Sequence, residues 1–259
     1  MGHIRLGRLP KTRDWVGVFD TLQNDSTNTA ALAKSAVIAA QAQFSDLERN
    51  SAINYCFWVL VRLATAGRSD NFVGELEKLG VQQKAISSGL QFVQLVSRTV
   101  EKELRGRSQS SVFVRMAELS LREVLSANII EQSNSLFGTS LSEIQAACRT
   151  ISTTKNFGRV AKEFYATLLS RSIQFIIDKE LSNYVGPSGS TGSPWQVLDF
   201  QRSLKVYCFE SAKIVEDFAS GWFSKNNWDS NNDISEDAAK AFTAYAIQKI
   251  QMELRGAKI

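Results

Sequence analysis

Residues 52–66 read AINYCFWVLVRLATA. Only Asn54 and Arg62 interrupt the apolar run, so on a helix the apolar side chains fall on every side rather than along one stripe. A bilayer needs roughly 18–20 such residues, and this run is shorter. It predicts instead a buried helix, Ala52 to Thr65, ended by Gly67, which the other elements must cover on all sides.

The rest of the chain offers amphipathic helices to cover it. A helix from Arg13, capped by Thr12, puts Trp15, Val18, Phe19 and Leu22 on one face until Asn24–Thr27 breaks it. An Ala-rich helix over about 28–44 follows, with Leu32, Ala36, Ala39 and Ala40 suited to close approach. A short helix, 71–79, capped by Ser69 or Asp70, stops at Gly80. Residues 86–104 carry Ile86, Leu90, Val93, Val96, Val100 and Leu104 in one stripe, and another helix runs from Ser111 to about Asn128.

The Ser140-x-x-Glu143 spacing is that of a capping box and opens a helix to Ile151. A long helix, 154–184, bears Phe157, Val160, Phe164, Leu168, Ile173, Ile176 and Ile177. Residues 186–194, GPSGSTGSP, form a loop rich in Gly, Ser and Pro. Two helices follow, over about 195–225 and 235–255, joined by an Asn- and Asp-rich turn.

With three prolines in 259 residues and no convincing strand, the expectation is an all-α fold of about nine helices in a single domain. Its expected parts are an arm (1–13), a helical body (14–185), the loop (186–194) and C-terminal helices (195–259) packed back on the body. Two helices alone bury too little to stand as a domain.

The charge is unevenly placed. Arg5, Arg8, Lys11 and Arg13 lie in the first thirteen residues with no acidic residue among them. Taking these four from the 30 Lys and Arg leaves a number equal to the 26 Asp and Glu, so the net +4 belongs to the arm. There the cations alternate with Ile4, Leu6 and Leu9.

Composition removes most catalytic chemistry. The single histidine, His3, sits in the arm, so the body has no histidine for a Ser-His-Asp or Cys-His triad, an HExxH zinc site or a di-iron site. Cys56, Cys148 and Cys208 are far apart with no CxxC pair, and read as reduced core thiols. The opening residues lack the apolar stretch of a signal peptide. A cytoplasmic location and no membrane contact are therefore expected.

Residues 229–237 match positions one, three and five of a calcium loop through Asp229, Asn231 and Asp233. Ile234 stands where the loop needs glycine, and Lys240 where it needs a bidentate Glu. The stretch is read as a polar turn with Asp233 or Ser235 capping the next helix, and no metal or cofactor is assigned. The loop at 186–194 has neither the Lys-Ser/Thr nor the strand of a phosphate-binding loop. Glu101 with Arg105, and Glu118 with Arg122, have the spacing of ion pairs on exposed helix faces.

What remains points to interaction. Arg5, Leu6, Arg8, Leu9, Lys11 and Arg13 are candidate partner-binding residues, joined by Trp222 and Trp228 near the polar turn. The expectation is a non-enzymatic adaptor or structural subunit of a multi-protein assembly. The alternative is a nucleic-acid-associated protein contacting phosphates through the arm. The arm's apolar residues could also fold back on the body, and self-association of the chain is open. An enzyme with an acid-only site is the least supported reading.

Overall fold

A computed structural model describes residues 14–18, 29–41, 44–82, 86–107, 112–131, 140–184 and 194–256. Among these residues there is no strand. After a helical stretch at 14–18, which buries Trp15 and Val18, come α1 (Thr29–Ala40), α2 (Phe44–Glu48), α3 (Ser51–Ala66), α4 (Phe72–Lys78), α5 (Gly89–Gly106) and α6 (Val112–Leu125). A π-helical turn, Ser126–Ile130, follows α6. Then come α7 (Leu141–Ile151), α8 (Thr154–Tyr184), α9 (Pro194–Ser211), α10 (Lys213–Asp229) and α11 (Glu236–Gly256).

The apolar run is α3, and the expectation of burial on all sides holds. Residues Ala52 to Phe57 and Val59 to Ala66 are all buried. Asn50 caps it, its side chain accepting from the amides of Ala52 at 3.0 Å and Ile53 at 3.4 Å. Helices α4, α6, α7, α8 and α11 contact it. The Phe57 ring is the centre of an aromatic cluster. Its centroid lies 4.8 Å from stacked Phe242, 5.3 Å from Tyr165, 6.0 Å from Phe164 and 6.1 Å from Trp222.

Gly67 ends α3, but with a right-handed φ of −57° it makes no use of glycine's conformational freedom. Its reason is steric. A Cβ there would stand 2.3 Å from the backbone nitrogen of Arg149 in α7. Gly80 does use that freedom: at φ +76° it turns the chain after α4, donating to Glu77 O while the amide of Val81 reaches Leu76 O at 2.9 Å.

Several boundaries follow the sequence closely. Helix α8 spans the expected 154–184. The capping box is formed, with Ser140 Oγ accepting from the Glu143 amide at 3.3 Å and Glu143 Oε2 from the Ser140 amide at 2.6 Å.

Others differ for physical reasons. Asn71, not Ser69 or Asp70, caps α4, accepting from the Gly74 amide at 3.0 Å, while Ser69 accepts from the amide of Asn71 itself. Ser88 caps α5, so the helix starts three residues after Ile86 and Leu90 turns outward, 54% exposed; Phe92 joins the buried stripe instead. The pair Glu118–Arg122 forms at 3.4 Å, yet Glu118 is buried and takes Arg115 as well at 2.8 Å.

The helix expected over 195–225 is two, broken at Ala212. Val215 donates to Ala212 O in a tightened turn, and Ser211 Oγ returns to Tyr207 O at 2.8 Å, a bond that bends helices. This break, the short α2 and the π turn bring the helical elements from α1 onward to twelve among the described residues, against about nine expected.

The C-terminal helices lie on the body: α9 against α1 and α8, α10 against α8, α11 against α3. The α8–α10 contact depends on Gly158, where a Cβ would meet Ser220 Oγ at 2.3 Å and the Glu216 carbonyl oxygen at 2.7 Å. Beside it the rings of Phe157 and Phe223 stack, centroids 3.9 Å apart. Helix propensity alone would favour alanine over glycine here by about 1 kcal/mol. The clash with backbone outweighs that, so Gly158→Ala is expected to destabilise the protein by about 1–3 kcal/mol in urea unfolding.

Candidate functional site

The arm residues Arg5, Leu6, Arg8, Leu9, Lys11 and Arg13 lie outside the described residues, as does the loop over 186–193. The two tryptophans separate. Trp222 turns its indole into the core, 4.5 Å from Phe242 and 6.4 Å from Phe157 between centroids. Trp228, six residues on, is 87% exposed, the most exposed large apolar side chain among the described residues.

Trp228 stands at the end of α10, and the turn that follows forms one wall of a polar cleft of about 330 Å³. The end of α3 supplies Arg62 and Thr65, the turn after it Arg68 and Ser69, α4 supplies Glu75 and Lys78, and the α10–α11 turn supplies Asn231, Asn232 and Asp233. Asn231 and Asn232 have φ of 52° and 67°, the left-handed region that asparagine tolerates better than most residues. Asn227 holds this geometry, its side-chain amide donating to Asn232 Oδ1 at 2.6 Å while its backbone carbonyl accepts from the Asn232 amide at 2.8 Å.

Arg62 is the polar interruption of the apolar run, and the cleft explains it. The side chain is buried, donates to Glu75 Oε2 at 2.7 Å and to Asp233 Oδ1, and lies 5.9 Å from the Trp58 ring centroid. Trp58 Nε1 donates to Ile234 O at 3.0 Å. Two side chains four apart on α3 thus fasten the α10–α11 turn. A buried guanidinium without carboxylates would be costly, so the three charges stand or fall together.

Arg68 is different. Its Nε donates to Ser152 Oγ at 2.8 Å, its Nη2 donates to Ser152 O, and its guanidinium lies 5.6 Å from the Phe223 ring centroid. No carboxylate of the described residues is within ion-pair distance of it. Nothing in the sequence spacing of Arg68 distinguishes it from other surface arginines.

The calcium-like stretch is used otherwise. Asp233 faces Arg62, Ser235 caps α11 by accepting from the Ala238 amide at 3.2 Å, and Glu236 takes Arg107 Nη2 at 3.0 Å. Among the described residues no three His, Cys, Asp or Glu side chains gather as metal ligands.

A second groove, about 380 Å³, lies between α6, α8 and α9. Its Glu123 carboxylate receives Arg171 Nη2 at 2.5 Å and Lys205 Nζ at 3.0 Å. Burial alone would raise the Glu123 pKa; the hydrogen bonds from Arg171 and Lys205 outweigh it and hold the group below the usual carboxylate range. Kept ionised, Glu123 is poorly suited to deliver or take a proton near neutrality. The three thiols are buried, and burial pushes all of them up, Cys148 and Cys208 to about 12. They remain protonated and unreactive at neutral pH.

Among the described residues no helix is long and apolar enough to cross a membrane. Comparison with protein-family models, with curated proteins and with solved structures finds no match to this chain.

Because the folded pKa of Glu123 is depressed, its contribution to stability is present above the ordinary carboxylate pKa and fades as pH falls through the lower folded value. Glu123→Gln is expected to flatten the acid limb of a Tm–pH profile while leaving the alkaline limb unchanged. Thiol titration with Ellman's reagent should find no reactive cysteine in the native protein and three after unfolding in guanidinium.

Proposed function

We propose that this protein is a non-enzymatic interaction subunit, an adaptor or structural component of a multi-protein assembly, and that Trp228 with the adjoining cleft is a docking site for its partner. The observation that carries the reading is the exposed indole of Trp228. Tryptophan is enriched at binding hot spots, because a large ring gains much from losing its water. Here it is presented at the end of a helix by a turn fastened through Trp58, Arg62 and Asn227. Little ordering remains to oppose association.

Further support comes from the groups that could do chemistry. The cysteines are buried thiols, Glu123 is locked between two cations, and the lone histidine lies in the arm. The basic arm, with Arg5, Arg8 and Lys11 among Leu6 and Leu9, is a second docking element in this reading, its apolar side chains suiting a protein surface better than a phosphate backbone. Reduced thiols fit a cytoplasmic location.

The test is purification of the tagged protein from its native cells, with nuclease added to one half of each preparation. Stoichiometric protein partners are expected to survive nuclease. They should be lost on Trp228→Ser or on deletion of residues 2–13, with helical circular dichroism unchanged and stability within about 0.5 kcal/mol for the Trp228 variant. Partners released by nuclease, with steep salt dependence, would replace this reading with a nucleic-acid-binding arm. Loss of helical content on deleting 2–13 would make the arm part of the core.

A further inference from the structure

We infer that the polar cleft receives an acidic side chain of the partner protein, with Arg68 gripping its carboxylate while Trp228 covers the apolar residue beside it. This rests on the docking reading above and names the chemistry of what docks.

The charge count of the cleft comes first. Arg62, Arg68 and Lys78 face two carboxylates, Glu75 and Asp233. Arg62 is satisfied by both, and Lys78 shares Glu75 at 2.7 Å. Arg68 is the cation left over. It is also already ordered: Ser152 takes its Nε and Nη2, the Phe223 ring lies alongside, and Nη1 has no partner among the described residues. A guanidinium held this way has lost its rotamer freedom before a ligand arrives, so a carboxylate meets a preset donor.

The cleft also shows what fits it. Asp233, whose side chain is 81% exposed, already reaches in to Arg62. A carboxylate entering from solvent is thus an arrangement this wall accepts. The groove at Glu123 offers nothing comparable, because Arg171 and Lys205 both pair with that one carboxylate.

Two further features point the same way. The arm carries four cations and no acidic residue, while the rest of the chain is balanced, so its charge and the surplus cation of the cleft both complement an acidic partner. The turn that closes the cleft begins two residues after the exposed Trp228, so an apolar side chain and the cleft's surplus cation are offered from the same end of α10. An acidic side chain beside a large apolar one is the pattern that matches both.

The experiment uses the full chain labelled with ¹⁵N, reading the Arg68 Nε and Trp228 indole signals. Three probes are titrated: the peptide acetyl-DLEFD-amide, its uncharged counterpart acetyl-NLQFN-amide, and inorganic phosphate. The acidic peptide is expected to shift both signals saturably, and the uncharged one to bind at least about tenfold more weakly. Arg68→Gln should weaken the acidic peptide about tenfold. Lys78→Glu, at a side chain 66% exposed, should abolish its binding while helical circular dichroism stays unchanged.

Equal binding of the two peptides, or an Arg68 signal that does not move, would overturn the inference. So would phosphate shifting Arg68 as strongly as the peptide with Trp228 silent, which would make the cleft a free-anion site. A native partner lost on Trp228→Ser but retained by Arg68→Gln and Lys78→Glu would leave the docking reading standing and refute this one.

Discussion

The structure depends on the packing around Phe57. One ring on α3 touches aromatic rings from α8, α10 and α11, so three helices distant from it in sequence meet at a single side chain. This is why α3 needs apolar residues on every side: it has no face left for water. Aromatic rings suit such a centre because each buries a large area and tolerates the tilted and edge-on arrangements seen here. A polar link beside the cluster, Tyr165 Oη with Thr243 Oγ1 at 2.8 Å, joins α11 to α8 and leaves neither hydroxyl unpaired.

The sequence showed the core better than the site, and the reason is physical. Periodicity reports which face of a helix is dry, so α3, α8 and the capping box at Ser140 could be read from spacing alone. Helix breaks made without Gly or Pro leave no such mark. Ala212 interrupts α9 and α10 through backbone geometry and a serine bonding back to Tyr207, and a serine inside an apolar pattern is ordinary. The π turn after α6 is similar: Asn128 there donates to Val124 O and to Glu163 Oε2, both at 2.9 Å, and the second bond needs α8 in place.

The cleft illustrates the harder case. Arg62 was visible in the sequence only as an interruption, since its meaning lies in carboxylates 13 and 171 positions away. Arg68 carried no mark, because an unpaired charge is recognised by what is missing around it in space. Trp222 and Trp228, alike in sequence, were separated only by the direction each takes from α10. A buried polar network of this kind stabilises little by itself. Its effect is to reject other placements of the α10–α11 turn, since each would strand a buried charge.

The bond from Trp58 to Ile234 joins residues 176 apart, and it belongs to the helix that most needs covering. At a ribosome adding about 5–20 residues per second, roughly nine to thirty-five seconds separate the two ends of that contact. Through that interval α3 is an apolar segment without its lid, and the rings that shelter Phe57 from the C-terminal side do not yet exist. Biogenesis of this chain therefore has a long window in which its central helix stands without the rings of α10 and α11.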